Sequence, residues 1–87
     1  MDFNTVKELA SVGRNQECLH ACRKLLQSEP RNPLLWKYSG KSLLALGEFK
    51  KALQDLNKAR QLDDRDPEIT QDIGNTHFNK TKTKYNC

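Results

Sequence analysis

The feature that most constrains this chain is a correspondence with itself at an interval of 34 residues. The positions that carry the same residue type after that displacement include Leu9 and Leu43, Gly13 and Gly47, Leu19 and Leu53, Lys24 and Lys58, Gln27 and Gln61, Pro33 and Pro67, and Gly40 and Gly74. A fixed interval of this length, at which small and apolar residues recur, is typical of stacked structural repeats. The sequence therefore predicts successive copies of one small structural unit.

Each copy has the pattern of two helices. In the middle copy the first helix is predicted to begin at Pro33, behind the capping residue Asn32, and to end at Gly47, which suits a left-handed stop. The second is predicted over about residues 48–62, because apolar residues recur there at spacings of three and four. The same pattern predicts helices over about residues 2–12 and 15–28, and another that begins at Pro67. We therefore expect an all-α chain of five helices without a strand.

The middle copy also carries a specific set of residues at fixed spacing. These are Trp36, Ser39, Gly40, Leu43, Gly47, Phe49, Ala52, Leu56 and Ala59. In this spacing the copy resembles the tetratricopeptide repeat (TPR). The copy departs from the family pattern at Ser39 (usually leucine), Leu43 (usually tyrosine), Leu56 (usually aromatic) and Asp64 (usually proline). The resemblance covers about residues 2–79 and implies an antiparallel helix-hairpin superhelix, a TPR-type α-solenoid of five helices.

The resemblance divides the chain into two and a half copies. Residues 1–32 form the first repeat, 33–66 the second, and 67–79 the first helix of a partial third repeat or a capping helix. Residues 80–87 form a basic tail, either frayed or continuing the helix. Because each hairpin exposes an apolar side that its neighbour covers, the third copy is either a solvating cap or the start of a longer array.

In function, the resemblance implies a non-catalytic module that binds a peptide or a partner helix in a concave groove. The first helices of the copies line that groove, and the candidate residues are Phe3, Lys7, Leu34, Lys37, Tyr38, Lys41, Gln71, Asp72, Asn75 and Phe78. Lys7, Lys37 and Lys41 recur along the first helices of the first two copies, whereas Glu68 and Asp72 place acids on that of the third. We therefore expect an acidic part of the partner to lie against Lys37 and Lys41.

One subfamily of such modules, the carboxylate-clamp domains of co-chaperones, grips the C-terminal carboxylate of heat-shock chaperones with lysine, asparagine and arginine side chains. The matching positions of this chain are Phe3, Lys7, Tyr38, Glu68 and Asp72. Two of these are acids, which repel a carboxylate. The sequence therefore argues against a chaperone C-terminus as the partner.

The sequence contains no pattern that predicts catalysis, a cofactor or a metal. Cys18 and Cys22 share a helix face, but His20 between them points elsewhere and no second close ligand pair exists. We interpret both cysteines as small buried side chains with reduced thiols. The sequence also lacks a glycine-rich phosphate loop.

Charge and hydropathy restrict the remaining classes. The net charge is +4, but Lys80, Lys82 and Lys84 supply three of these charges, so a nucleic-acid partner would depend on a short tail and is disfavoured. No apolar run approaches the length of a membrane span and no signal peptide is seen, so we expect a cytoplasmic protein. The favoured function is an adaptor or scaffold, and the alternative is a targeting domain cut from a larger enzyme or co-chaperone.

Overall fold

Five α-helices and no strand make up the part of the chain that the computed structural model describes, residues 2–86 for the backbone and 2–78 for the side chains. The helices are α1 (Phe3–Ser11), α2 (Asn15–Ser28), α3 (Pro33–Ala45), α4 (Phe49–Leu62) and α5 (Pro67–Asn86). The prediction of an all-α fold with five helices is confirmed. The bounds themselves repeat at 34 residues, since α2 and α4 begin and end that far apart, as do the starts of α3 and α5.

The turns after α1 and α3 have the same geometry. Gly13 and Gly47 adopt the left-handed conformation, with φ of 79° and 83°. In each turn the glycine N–H bonds a carbonyl three residues back and the next N–H bonds one five residues back, for example Gly47 to Leu44 and Glu48 to Leu43. This is the Schellman motif, which satisfies carbonyls at a helix end and favours glycine. The predicted stops at both glycines are therefore confirmed.

The starts of α3 and α5 are also equivalent. Asn32 Oδ1 accepts the N–H of Leu34 at 3.0 Å, and Asp66 Oδ1 accepts the N–H of Glu68 at 2.9 Å. A side-chain oxygen before the first turn satisfies a backbone donor that the helix leaves unpaired. Proline follows each cap at the first helical position, where its missing N–H costs nothing.

The helices pack in sequence, each against the next, as antiparallel hairpins joined by short turns. One group of buried apolar side chains lies among α1, α2 and α3 and includes Val6, Cys22 and Leu35. A second, which includes Leu56 and Ile69, joins α4 to α5. The indole of Trp36 packs against both groups and so connects the two ends of the core.

In the middle hairpin, α3 and α4 cross closely at Gly40. A Cβ built on Gly40 would lie 2.6 Å from Leu56 Cγ, and the neighbouring Ala52 is fully buried. Trp36 is half-buried, and its indole N–H donates to the carbonyl of Pro30 at 2.8 Å. The predicted interior position of Ala52 is confirmed, whereas Trp36 keeps one edge toward the solvent. None of the described helices is both long and apolar enough to cross a membrane.

Candidate functional site

The odd-numbered helices form a continuous face. The backbones of α1 and α3 contact each other, as do those of α3 and α5, whereas α2 and α4 do not meet in this way within the described part of the chain. A stack of helical hairpins is concave on the side where the helices of successive hairpins lie closer together. The candidate face is therefore the surface of α1, α3 and α5, and all ten groove candidates lie on these helices.

At the α1 end of the face, two aromatic rings connect neighbouring helices. The ring centroids of Phe3 and Tyr38 lie 5.4 Å apart with an interplanar angle of 75°. This edge-to-face geometry is favourable for aromatic pairs, because the positive edge of one ring meets the negative face of the other. Leu34, one turn before Tyr38, is 40% exposed, so this end of the face has an apolar and aromatic surface open to solvent.

Between α3 and α5 the face is occupied by ion pairs. Lys37 Nζ lies 2.9 Å from Asp66 Oδ2 and 3.1 Å from Glu68 Oε2. Lys41 Nζ lies 2.5 Å from Glu68 Oε1 and 2.9 Å from Asp72 Oδ2. The Glu68 carboxylate thus joins two lysines that stand one turn apart on α3. The contact with Asp72 is an ion pair whose angles do not make a directed hydrogen bond, since no described donor meets that criterion at Asp72 Oδ2.

The cluster changes the protonation behaviour of its members. Burial opposes the charged form of Lys37, but its hydrogen bond to Asp66 and its proximity to Glu68 outweigh burial and raise the pKa of the lysine. Burial also opposes the charge of Lys41, and Glu68 and Asp72 raise its pKa overall. The bond from Lys37 lowers the pKa of Asp66, and Lys41 together with Lys37 lowers the pKa of Glu68. All of these groups are therefore charged at neutral pH.

This pairing bears on the expected partner. Lys37 is buried, and both lysines already face carboxylates of their own chain. Three carboxylates share two ammonium groups, which leaves the cluster with a formal charge of −1. The sequence argument assigned the two lysines to an acidic part of a partner; the structure gives them intramolecular partners instead. Glu68 and Asp72, the acids that argued against a carboxylate clamp, are two of those partners.

The remaining candidates are open to solvent. Lys7, Gln71, Asn75 and Phe78 are exposed, and Phe78 keeps 67% of its surface accessible. Lys7 stands on α1 one turn after Phe3, outside the ion pairs formed among the described side chains. The face thus has an apolar, basic end at α1 and a compensated, slightly acidic region at α3 and α5.

A second polar network, behind the face, was not anticipated from the sequence. Ser39 donates to Asp55 Oδ2 at 2.5 Å, and Arg23 Nη2 lies 3.2 Å from the same oxygen. Ser39 and Asp55 are buried, and Arg23 reaches across from α2. The departure of Ser39 from the usual leucine was the one signal for it. The network ties α2, α3 and α4 together. It thereby holds α2 and α4 behind the helices of the candidate face.

The two described cysteines, Cys18 and Cys22, lie in the core and form no reactive site. Cys18 and Cys22 are free and buried, and the Cys18 thiol donates to the carbonyl of Val6 at 3.6 Å. Burial, together with the neighbouring Cys18, raises the pKa of Cys22 to about 12, so it stays a thiol at neutral pH. Among the described residues, no three His, Cys, Asp or Glu side chains gather as metal ligands would.

A cavity of about 520 Å³ lies away from the candidate face. It is lined by residues of α2, the end of α3 and the start of α4, among them Leu19, His20, Leu43 and Lys51. None of the ten candidates borders it.

No protein-family model and no curated protein sequence matches the chain. The 34-residue correspondence of its helix bounds and turns is internal to the chain. The division into copies at residues 1–32, 33–66 and 67–79 stays a prediction. Within the basic segment 80–87, the backbone of α5 continues to Asn86, and the side chains there lie outside the described residues.

Proposed function

We propose that the chain is a non-catalytic, TPR-like protein-interaction module that binds a peptide or a partner helix along the face of α1, α3 and α5. The observation that carries the proposal is the contiguity of these three helices with solvent-open apolar side chains at one end. The 34-residue repeat of helix bounds and Schellman turns supports the TPR-like character. Helix layers of this kind offer extended concave surfaces for recognition.

The chemistry of the face defines the preferred ligand. Leu34 and the ring pair of Phe3 and Tyr38 suit an aliphatic or aromatic side chain, and aromatic anchors are frequent centres of binding energy. The exposed Lys7 suits a carboxylate close to that side chain. The compensated cluster around Glu68 suits neutral or basic residues in the rest of the segment. We therefore expect a partner segment with an apolar anchor, an acid beside it and no acidic run.

The proposal is tested by selecting peptides from a random displayed library on the purified 87-residue chain. Affinities of the selected peptides are then measured for two pairs of variants. Leu34→Asp and Lys7→Glu alter the candidate face, whereas Gln54→Asp and Lys50→Glu make the same charge changes at exposed positions of α4. The face variants should weaken binding about tenfold or more, and the α4 variants should leave it unchanged, because central apolar contacts are worth about 1–2 kcal/mol or more.

The proposal fails if the selected peptides bind the face variants and the wild type equally well. It also fails if the α4 variants lose affinity as strongly as the face variants, since the binding surface would then lie on the other side of the molecule. The matched substitutions have equal charge changes, so a difference between the pairs reports position rather than net charge.

A further inference from the structure

The positive charge of the described side chains is concentrated on the even-numbered helices. Together α2 and α4 contain six lysine and arginine residues and two acids, a formal charge of +4. The rest of residues 2–78 contains six lysine and arginine residues and nine acids, a formal charge of −3. The small total charge of this part of the chain therefore hides a basic side, which lies behind the candidate face.

A groove runs between α2 and α4 on this basic side. The two helices do not approach each other within the described chain, whereas both pack on α3. The cavity of about 520 Å³ lies in this groove, where Leu43 and Leu46 at the end of α3 form the floor. Leu19 lines it from α2 and Lys51 from α4. The groove thus combines an apolar floor with a cation at its edge.

Arg23 is held across the same groove by a buried carboxylate. Its Nη2 lies 3.2 Å from Asp55 Oδ2, and the hydroxyl of Ser39 donates to that oxygen. The Asp55 side chain is 8% exposed, whereas the Arg23 side chain is 46% exposed. A guanidinium carries five N–H donors in a rigid plane, so those that do not face Asp55 remain available to a ligand. The buried network therefore presents Arg23 to the cavity, which it also lines.

We propose that this groove binds an acidic segment of a partner protein, with an aliphatic side chain in the cavity and carboxylates against Arg23, Lys51 and Lys58. The two lysines stand two turns apart on one side of α4, a distance of about 10 Å along the helix. Both are exposed and take no part in the ion pairs formed among the described side chains. In this they differ from Lys37 and Lys41, which already face carboxylates of their own chain.

The lining of the groove favours a peptide over a nucleic acid. The described residues around the cavity include three leucines but no phenylalanine, tyrosine or tryptophan, on which unpaired bases stack. Glu48 also lines the cavity and repels a continuous phosphate backbone, whereas a peptide can place a neutral residue beside it. The site is independent of the candidate face, which favours segments without an acidic run.

The test is fluorescence anisotropy of a labelled synthetic peptide in which glutamates flank one leucine, titrated with the full chain up to about 1 mM. The peptide should bind, and its affinity should fall as salt rises from about 50 mM to about 500 mM. Lys51→Glu/Lys58→Glu should raise the Kd about tenfold or more, because it reverses two charges in the groove. Lys7→Glu/Arg31→Glu changes the net charge equally at exposed positions outside the groove and should raise the Kd far less.

A second matched pair tests the apolar floor. Leu46→Gln removes an aliphatic side chain from the cavity and should raise the Kd about fivefold. Val12→Gln makes a similar change at the equivalent end of α1, outside the cavity, and should leave the Kd unchanged. Leu34→Asp alters the candidate face and should also leave it unchanged, so failure of this site and failure of the proposed function are separate results.

All of these substitutions lie at exposed positions, so each variant should keep the far-UV circular dichroism spectrum of the wild type. The proposal is overturned if the peptide does not bind at about 1 mM. It is also overturned if the two double variants weaken binding equally, or if Leu46→Gln and Val12→Gln have the same effect. Tighter binding of a single-stranded oligonucleotide of equal charge, lost in Lys51→Glu/Lys58→Glu, would overturn it as well, because the groove would then be a nucleic-acid site.

Discussion

Gly40 and Gly74 show how the same residue type at equivalent positions has different surroundings. At Gly40 the missing Cβ allows α4 to approach, with Leu56 Cγ 2.6 Å from where that atom would be. A Cβ built on Gly74 would meet no described atom within 4 Å. The close crossing of α3 and α4 therefore depends on the absence of a Cβ at Gly40. No contact within the described chain requires a glycine at position 74.

We predict opposite effects for alanine at these two positions. Gly40→Ala should lower the free energy of unfolding by about 1–3 kcal/mol, because the buried Leu56 must move to admit the methyl group. Gly74→Ala should raise it by about 0.5–1 kcal/mol, because alanine favours the helix and meets no neighbour. Urea denaturation of each variant beside the wild type measures both. Equal effects at the two sites would contradict the assignment of Gly40 to the crossing.

The two buried thiols make a second prediction at the residue scale. Burial raises the pKa of Cys22 to about 12, and Cys18 is fully buried. In a Cys87→Ser background, both should react with a thiol reagent at pH 8 far more slowly than in the unfolded chain, since only the thiolate attacks. The rate in about 6 M urea is the control for intrinsic reactivity. Rapid labelling of the native chain would mean that the α1–α2 hairpin opens readily or that Cys22 titrates lower.

At the scale of elements, the ion pairs determine how α5 is held against α3. Asp66 has two functions, since Oδ1 caps α5 and Oδ2 accepts from Lys37. Glu68 then bridges Lys37 to Lys41. The cap, the first turn of α5 and the two middle turns of α3 are thereby joined by charged contacts. Their contribution depends on the protonation of both signs of charge.

We predict a plateau of stability with losses at both extremes of pH. The pKa values of Asp66 and Glu68 are lowered from 3.8 and 4.5, so their contribution is present above those values and is lost as pH falls through the lowered ones. Those of Lys37 and Lys41 are raised from 10.5, so their contribution is present below that value and is lost as pH rises through the raised ones. Thermal midpoints should therefore be level between about pH 5 and about pH 8. Above that range the buried Cys22, whose pKa is raised from 9.0 to about 12, lowers stability before the lysines do, because its thiol ionises more readily in the unfolded chain.

A variant without the two lysines of the cluster gives the control for that profile. In Lys37→Met/Lys41→Met the three carboxylates repel one another, so acidification should no longer destabilise the α5 attachment and should partly restore it. Lys50→Met/Lys51→Met removes the same number of charges from exposed positions of α4 and should keep the wild-type acid profile. An unchanged acid loss in the first variant would show that other carboxylates cause it.

At the scale of the whole molecule, Trp36 is the side chain that joins the two parts of the core. It contacts the group among α1, α2 and α3 and the group between α4 and α5. Its indole N–H also holds the turn before α3 through the carbonyl of Pro30. Cooperative unfolding requires that the two groups stabilise each other, because each alone is small for an independent domain.

We predict that Trp36→Ala separates the unfolding of the two ends. It should cost about 3–5 kcal/mol and make the transition seen by far-UV circular dichroism differ from the reaction of Cys18 and Cys22. Trp36→Phe keeps most of the apolar contact, loses the hydrogen bond and should cost about 1 kcal/mol with coincident transitions. Coincident transitions in Trp36→Ala would show that α3 itself, rather than the indole, couples the ends.

The elements of the fold follow from local sequence. Apolar spacing of three and four, the caps at Asn32 and Asp66, and the left-handed glycines 13 and 47 define helix bounds through contacts within a few residues. The 34-residue interval also predicts the order in which the helices pack, because equivalent segments of stacked repeats have equivalent neighbours. The ten candidates lie on the three odd-numbered helices, and their role in binding stays a prediction.

What the tertiary structure alone decided is which charges and cavities remain available. Lys37 meets Asp66 across 29 positions of sequence, and Ser39 meets Asp55 across 16, distances at which no spacing rule applies. A surface lysine is paired only where a carboxylate of another helix lies within reach, and such contacts between helices do not follow the 34-residue interval. The same holds for Gly74, which is equivalent to Gly40 in sequence, although a Cβ built on it would meet no described atom within 4 Å.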